Sequence, residues 1–388
     1  MAEARCIPFK EFVVLQRGFD LTKKDMCEGL YPVIGSTSII GHHKEYKAEP
    51  PGVITGRSGS LGVVQYIREK YWPHNTALWV KDFKGNIPHY VYYYLQTLNL
   101  GRFNSGAGVP TLNRNDLDTL EIAVHPLSTQ RKIAAILSAY DDLIENNMRR
   151  IKILEEMAQA LYREWFVNFR FQGHEKVKMV ESEMGIVPEG WEIKKLGGIA
   201  DINASSLKKG YEPDEINYID IASVSTGQID KIEHLAFADA PSRARRIVKH
   251  GDIIWSTVRP NRKSYSVILS PPSNLIVSTG FAVITPKHAP YTYLYHALTT
   301  DDFVGYLINH TTGAAYPAVN SGDFENALIL HPPNALLELY HTIVGDLFDY
   351  KQIMQQKNLV LCHTRDLLLP KLISGEVDVE NIDVRMHH

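Results

Sequence analysis

Between Ser242 and Lys263 seven basic side chains, Arg243, Arg245, Arg246, Lys249, Arg259, Arg262 and Lys263, stand against a single acidic residue, Asp252. Guanidinium groups offer paired N–H donors to phosphate oxygens and to the O6/N7 edge of guanine, and Asn261 carries the donor–acceptor pair that fits adenine. The run has the chemistry of a nucleic-acid contact surface, with a solvated basic loop as the plainer alternative. In the first third of the chain, Gly56-Arg57-Ser58-Gly59-Ser60-Leu61-Gly62 follows a strand-like run. Its backbone N–H groups suit a phosphate, but the spacing is not GxGxxG, and a tight loop presenting Arg57, Ser58 and Ser60 to a partner is the better reading. The other cations nearby, Lys44, Lys47, Arg68, Lys70, Lys81 and Lys84, are spread out. Tyr90, Tyr92, Tyr93 and Tyr94 offer base-stacking rings, yet neighbours on a helix point different ways, so a core role outweighs a stacking platform.

Catalytic signatures are missing from the same sequence. There is no GxxxxGK[ST], HExxH or GxSxG, and Ser270-Pro271-Pro272-Ser273 and His331-Pro332-Pro333-Asn334 both fail the Asp/Asn-Pro-Pro-aromatic pattern of amino-methyltransferases. Pro213-Asp214 lacks a following Glu/Asp-x-Lys of the nuclease type. The histidine pairs His42-His43 and His387-His388 have no metal-site companions and read as solvated pairs or terminal residues.

With 388 residues, 44% hydrophobic and 22% charged, the chain has material for two or three domains of ordinary globular composition. A net charge of -3 excludes a uniformly basic DNA-coating protein, so any nucleic-acid contact comes from local patches. Cys6, Cys27 and Cys362 form neither CxxC pairs nor a disulfide framework, which favours a reducing compartment. The first residues carry no apolar leader and no stretch reaches the ~18 apolar residues of a spanning helix. The expectation is a cytoplasmic protein with no membrane segment.

The elements that must position the candidate residues are duplicated. Gly106-Ala107-Gly108-Val109-Pro110-Thr111-Leu112-Asn113, followed by Asp116, recurs as Gly313-Ala314-Ala315-Tyr316-Pro317-Ala318-Val319-Asn320, followed by Asp323, displaced by about 207 positions. The offset persists through Pro126 and Pro333, Ile136 and Ile343, Leu154 and Leu361, and Leu161 and Leu368. Upstream, Gly52-Val53-Ile54 matches Gly251-Asp252-Ile253 at an offset of about 199. Two copies of a β-rich module, each followed by a long helix, account for this pattern.

From Thr129 the residues Ile133, Leu137, Tyr140, Ile144, Asn147, Ile151, Leu154, Ala158, Leu161 and Trp165 form a heptad seam. Ser128 is a candidate N-cap, and a helix of roughly 40 residues is a rod of about 60 Å. The second helix, after Pro332-Pro333, keeps one stripe, Tyr340, Leu347, Met354, Leu361 and Leu368, while its other column, Val344, Lys351, Asn358, Arg365 and Leu372, is partly polar. Asn147 and Asn358 either fix the register of a buried seam or, for Asn358, face solvent. One chain carrying both helices predicts an intramolecular antiparallel coiled coil. Within the modules, strands are predicted at 51–55, 61–67, 76–80, 252–257, 264–268 and 281–285, and helices at 88–99 and 291–309. Met184 to Trp191 should lead into the second module.

These residues, taken in order, resemble the specificity subunit of a type I restriction-modification system. The resemblance rests on Gly29-Leu30-Tyr31-Pro32-Val33-Ile34-Gly35, Gly41-His42-His43, Thr55-Gly56-Arg57-Ser58-Gly59, Asn75-Thr76-Ala77 and the loop 106–113. Gln130-Arg131-Lys132-Ile133-Ala134-Ala135-Ile136-Leu137 and Pro188-Glu189-Gly190-Trp191 complete it, and together these cover nearly the whole length. It implies an α/β (α+β) fold: two similar target-recognition domains with twisted, mostly antiparallel sheets, joined by two long helices and related by an internal pseudo-twofold repeat. It also implies a non-catalytic subunit that recognises a bipartite, asymmetric target in double-stranded DNA. Two methyltransferase subunits and restriction (motor) subunits would be the partners. This chain would bind no cofactor, with S-adenosylmethionine, ATP and Mg on those partners. Half-sites about one turn (~34 to 36 Å) apart suit two modules of this kind. The second helix departs from the pattern, with Leu336-Leu337-Glu338-Leu339-Tyr340 where the first has Gln130-Arg131-Lys132-Ile133, and the first module lacks a Gly190-Trp191 equivalent.

The expected division is 1–127 for the first target-recognition domain, 128–172 for the first helix, 173–332 for the second domain and 333–388 for the second helix and tail. The DNA-binding candidates are Arg57, Ser58 and Ser60 in the first module and Arg243, Arg245, Arg246, Arg259, Asn261, Arg262 and Lys263 in the second. Two other classes stay open: a protein-binding scaffold with duplicated domains, and a fused restriction-methylation enzyme.

Overall fold

The structure is a computed structural model that describes residues 4–106, 108–208, 210, 213–313, 315–380 and 382. Ala107 and Ala314 of the repeated loop, and His387-His388, lie outside the described residues. The chain divides into two compact units, residues 1–148 with 356–388, and residues 149–355.

The first unit runs β1 (Arg5–Pro8), α1 (Phe9–Phe12), β2 (Val14–Arg17), β3 (Tyr31–Ile34), β4 (Ile39–His43), β5 (Gly52–Gly56) and β6 (Val64–Ile67). It continues through β7 (Trp72–Pro73), β8 (Ala77–Asp82), α2 (Pro88–Thr97), α3 (Arg114–Asp118) and β9 (Glu121–Val124) into α4 (Leu127–Tyr162). Its main sheet has the order β2-β8-β5-β6, beside a smaller sheet β4-β3-β7 and the pair β1-β9. All pairings are antiparallel except β3 with β7.

The second unit runs β10 (Met179–Ser182), β11 (Gly185–Pro188), β12 (Glu192–Lys195), α5 (Leu196–Ile199), β13 (Ala200–Ile202), β14 (Glu215–Ile219), β15 (Val224–Ser225) and β16 (Gln228–Ile229). There follow β17 (Glu233–Ala236), β18 (Ala244–Ile247), β19 (Ile253–Ser256), β20 (Tyr265–Val267), β21 (Leu275–Ser278) and β22 (Phe281–Pro286). Helices α6 (Tyr291–Ala297), α7 (Asp301–Asn309) and α8 (Ser321–Asn326) precede β23 (Leu328–His331) and α9 (Asn334–Ser374). The order β13-β22-β19-β20 repeats β2-β8-β5-β6, and β14 with β21 repeats the lone parallel pairing of β3 with β7. A second sheet, β17-β14-β21-β18, ends on β18. The mixed α/β class and the two sheet-rich regions agree with the expectation.

Each unit buries the corresponding residues. In the first, Phe9 and Phe12 of α1 are fully buried with Tyr90, Leu95 and Leu117; in the second, Leu196 and Ile199 of α5 are buried with Tyr293, Leu298 and Phe324. Tyr90, Tyr93 and Tyr94 are therefore core residues, and Tyr93 Oη donates to Asp141 at 2.5 Å. The predicted helix 291–309 is two helices, because the Thr300 side chain accepts from Phe303 N–H and caps a new start. The predicted strand 61–67 begins only at Val64, since the preceding segment turns through Gly59 and Gly62, both at positive φ. His43 is not solvated: strand alternation turns it inward, 3.4 Å from Cys27 Sγ and edge-on to Trp72.

Both long helices cross the division between the units, and in each unit their segments run antiparallel. In the first unit Asn147 Nδ2 donates to Asn358 Oδ1 at 2.8 Å, so Asn358 faces its partner helix rather than solvent. Arg365 Nη1 lies 2.6 Å from Asp141 Oδ1. In the second unit Lys351 Nζ lies 2.5 Å from Glu155 Oε1, and Tyr340 packs on Tyr162 and Trp165. The polar column of α9 is thus a set of matched partners.

Candidate nucleic-acid interface

In the first unit β5 ends at Gly56, where the chain folds back so closely that an added Cβ would sit 2.0 Å from Ser60 O. Glycine is needed there. The following loop is pinned from two sides. Arg57 N–H and Ser58 N–H donate to Thr76 O at 2.8 and 3.1 Å, and Ser36 Oγ donates to Ser58 O at 2.8 Å. Against it lies the repeated loop: Leu112 N–H donates to Arg57 O at 2.8 Å and Gly59 N–H to Pro110 O at 2.9 Å. Ser60 is exposed, and among the described residues the Arg57 guanidinium has no ion-pair partner. Arg57 faces an open groove of about 680 Å³ shared with Arg17, Arg114, Ser105, Thr111 and Asn113. Arg17 and Arg114 were not among the sequence candidates, although Arg114 directly follows the repeated motif. Several basic residues of this unit are ion-paired: Arg17 with Asp20 at 2.7 Å, Arg68 with Asp142 at 2.7 Å, Lys70 with Glu49 at 3.1 Å and Lys84 with Asp82 at 3.1 Å.

The second unit builds the same two-loop ladder. Val319 N–H donates to Thr257 O at 2.9 Å and Arg259 N–H to Pro317 O at 2.7 Å. Thr257 therefore takes the place of Arg57, and Arg259 that of Gly59, at an offset of 200, one residue from that expected upstream. Arg259 stands just before a short 3-10 turn, Pro260–Arg262, that exposes Asn261 and Arg262. The Arg259 guanidinium carbon lies 4.8 Å from the Tyr316 ring centroid. Among the described residues neither Arg259 nor Arg262 forms an ion pair, whereas Lys263 is held by Asp301 at 2.8 Å.

The basic run is not one continuous loop but two segments. Arg243, Arg245 and Arg246 belong to the β18 edge, and 259–263 to the turn after β19. The β21–β22 turn joins the two places: Thr279 N–H donates to Arg243 O and Thr257 N–H to Gly280 O, both at 2.8 Å. The acidic partners also differ from the linear reading. Asp252 is buried, accepts from Lys249 N–H and Thr285 Oγ1, and burial raises its pKa. Asp220, 3.6 Å from Arg243, and Asp301 are the carboxylates that face the run. Arg243 Nε also donates to Tyr218 Oη at 3.3 Å, and Arg245 lies over Phe237 at 5.3 Å. Arg246 is half-buried, its Nε lacks a hydrogen-bond partner among the described residues, and burial lowers its pKa.

Among the described residues, no group of three or more His, Cys, Asp or Glu side chains is arranged to hold a metal ion, and no helix is long and apolar enough to cross a membrane.

Residues 9–156 match the family model described as type I restriction modification DNA specificity domain. The MjaIX type I restriction enzyme specificity subunit of Methanocaldococcus jannaschii is 29% identical over 315 residues, 77% of this chain and 71% of that protein. The HindI specificity subunit of Haemophilus influenzae is 22% identical over 69% of this chain and 71% of its own. The crystal structure of a type I restriction-modification S subunit from M. genitalium covers 95% of each chain with a TM-score of 0.63 at 18% identity, a likeness of fold.

Proposed function

We propose, for a chain that belongs to the specificity-subunit family of type I restriction-modification systems, that its two units read the unequal halves of one bipartite double-stranded DNA target. One observation carries this reading. The ladder of 57–60 on 106–113 recurs as 257–260 on 313–320, while the exposed side chains on the two ladders differ. Equal frames with unequal surfaces suit an asymmetric target. Arg57, Ser58 and Ser60, with Arg114 beside them and Arg17 once it leaves Asp20, would serve the first half. Arg259, Asn261 and Arg262, with Arg243, Arg245 and Arg246 on the β18 edge, would serve the second, and Lys263 would reach DNA only by leaving Asp301.

The subunit is non-catalytic in this proposal and acts in the cytoplasm. The long helices dock two methyltransferase subunits, which carry S-adenosylmethionine, while restriction subunits carry ATP and Mg. The test is a base-resolution adenine methylome of a methylation-free host expressing this chain with its methyltransferase subunit, against the methyltransferase alone. A split, asymmetric motif that depends on this chain is expected. Absence of any new motif from a verified complex overturns the reading. Arg259→Ala with Arg262→Ala should relax one half-site only, and equal change in both halves would refute the assignment of one unit to each half.

A further inference from the structure

Arg259 and Tyr316 form a pair that the first unit lacks. The ladder that sets Arg259 in the place of Gly59, and Pro317 in that of Pro110, also sets Tyr316 in the place of Val109. Gly59 has a φ of +90°, and Arg259 a φ of +52°. That left-handed region costs an L side chain and is open to glycine. Tyr316 is 69% exposed on the facing loop. Neither residue is the locally stable choice: glycine would relax the one position and a polar side chain the other. Sites that depart from local preference in this way are found where function demands the side chain.

The stack also determines what the guanidinium can do. With its guanidinium carbon over the Tyr316 ring and no carboxylate paired to it among the described residues, Arg259 keeps its N–H donors for a planar acceptor. Holding the plane on an aromatic face reduces the freedom lost on binding. A guanidinium presented in this way matches the O6 and N7 acceptors of guanine in the major groove. We infer that Tyr316 is a positioning residue that presents Arg259 to a guanine in the half-site of the second unit. The first unit, with Gly59 and Val109 at the same places, reads its half-site without such a contact. This inference rests on the DNA-reading function proposed above.

The test uses the full chain with its methyltransferase subunit and compares methylomes of the wild type, Arg259→Gly, Tyr316→Ala and Tyr316→Phe. Expected is a wild-type motif with a guanine in one half that becomes degenerate in Arg259→Gly and Tyr316→Ala, a loss of discrimination of about tenfold or more at that base. The other half should be unchanged. Tyr316→Phe, which keeps the ring, should retain the motif. Arg259→Gly should meanwhile melt about 2–4 °C higher than wild type, which separates lost recognition from lost folding. An unchanged motif in Arg259→Gly overturns the inference and leaves the proposed function standing. Uniform weakening at every base makes Arg259 a phosphate contact and also overturns it. A wild-type chain that yields no motif removes the proposed function itself.

Discussion

Where α2 meets α4 in the first unit, the Tyr93 hydroxyl donates to Asp141, whose carboxylate also holds Arg365 of α9. In the second unit the repeat sets His296, Phe348 and Ala158 at these three places, and His296 lies 5.7 Å from Phe348, centroid to centroid. One end is closed by a charge network, the other by rings. A little further along α9 the contrast reverses. Lys351 of the second unit pairs with Glu155, where the first unit has Ile144 and Cys362. The repeat therefore specifies a backbone frame while the polarity inside the frame is free to differ. A charged helix segment placed in the opposite frame would leave Asp141 or Arg365 facing hydrocarbon, so the mismatch works against pairing the segments wrongly.

Breaking the charged end should have the largest effect. Asp141 and Arg365 are 23% and 24% exposed, so removing either leaves the other desolvated, and Asp141→Ala also strands the Tyr93 hydroxyl. A loss of about 2–4 kcal/mol in chemical denaturation is expected. Asp141→Phe combined with Arg365→Ala copies the pair of the second unit. The double variant should recover about 1 kcal/mol or more relative to Arg365→Ala, a coupling that strictly additive losses would disprove.

The ringed end should respond to pH instead. His296 is buried, its Nδ1 lies 2.9 Å from Thr292 O, and burial pushes its pKa down to about 4. The unfolded chain takes up this proton near pH 6.5 and the folded chain does not, so stability is complete above that pH and falls as pH drops toward 4. About 2 kcal/mol should be lost from this residue by pH 5. The measurement is the difference between the stability curves of wild type and His296→Phe, and curves that stay parallel from pH 7 to pH 5 would show that His296 does not carry the effect.

How far such features can be read from sequence depends on the distance over which they are encoded. The seam of α4 was legible because its period is local: Ile133, Leu137, Ala158 and Trp165 are all buried, as heptads require. In the α9 column Asn358 was legible as one of two alternatives, a register partner of Asn147, whereas Lys351 and Arg365 were not, because charged residues signal a core only beside Glu155 and Asp141, which the antiparallel register brings to them. The candidate loops were found through the repeat, which marks both 106–113 and 313–320. The contact of Arg259 with Tyr316 was hidden for the same reason as the helix partners, since the two lie on different loops joined by the ladder. Asp220 and Asp301 likewise reach the basic residues through sheet and helix geometry.

The smallest effect should come from the second charge pair, and it gives the comparison its sharpest form. Lys351 is 7% exposed in its side chain and donates to Gly227 O at 3.1 Å as well as facing Glu155. Glu155 is 46% exposed, so water can replace the ammonium once it is gone. In Lys351→Met a flexible thioether of similar length fills the space beside Leu347 and Phe348. The loss should stay within about 1 kcal/mol. Arg365→Met, by contrast, leaves Asp141 with little access to water and should cost about 2 kcal/mol or more. The two substitutions remove the same charge from the same helix; Lys351 also gives up its bond to Gly227 O and Arg365 its pair with Asp366, and the larger difference is the exposure of the abandoned carboxylate. Equal losses in a side-by-side denaturation would mean that both ends depend on their charges alike, and the division into a charged and a ringed frame would fall.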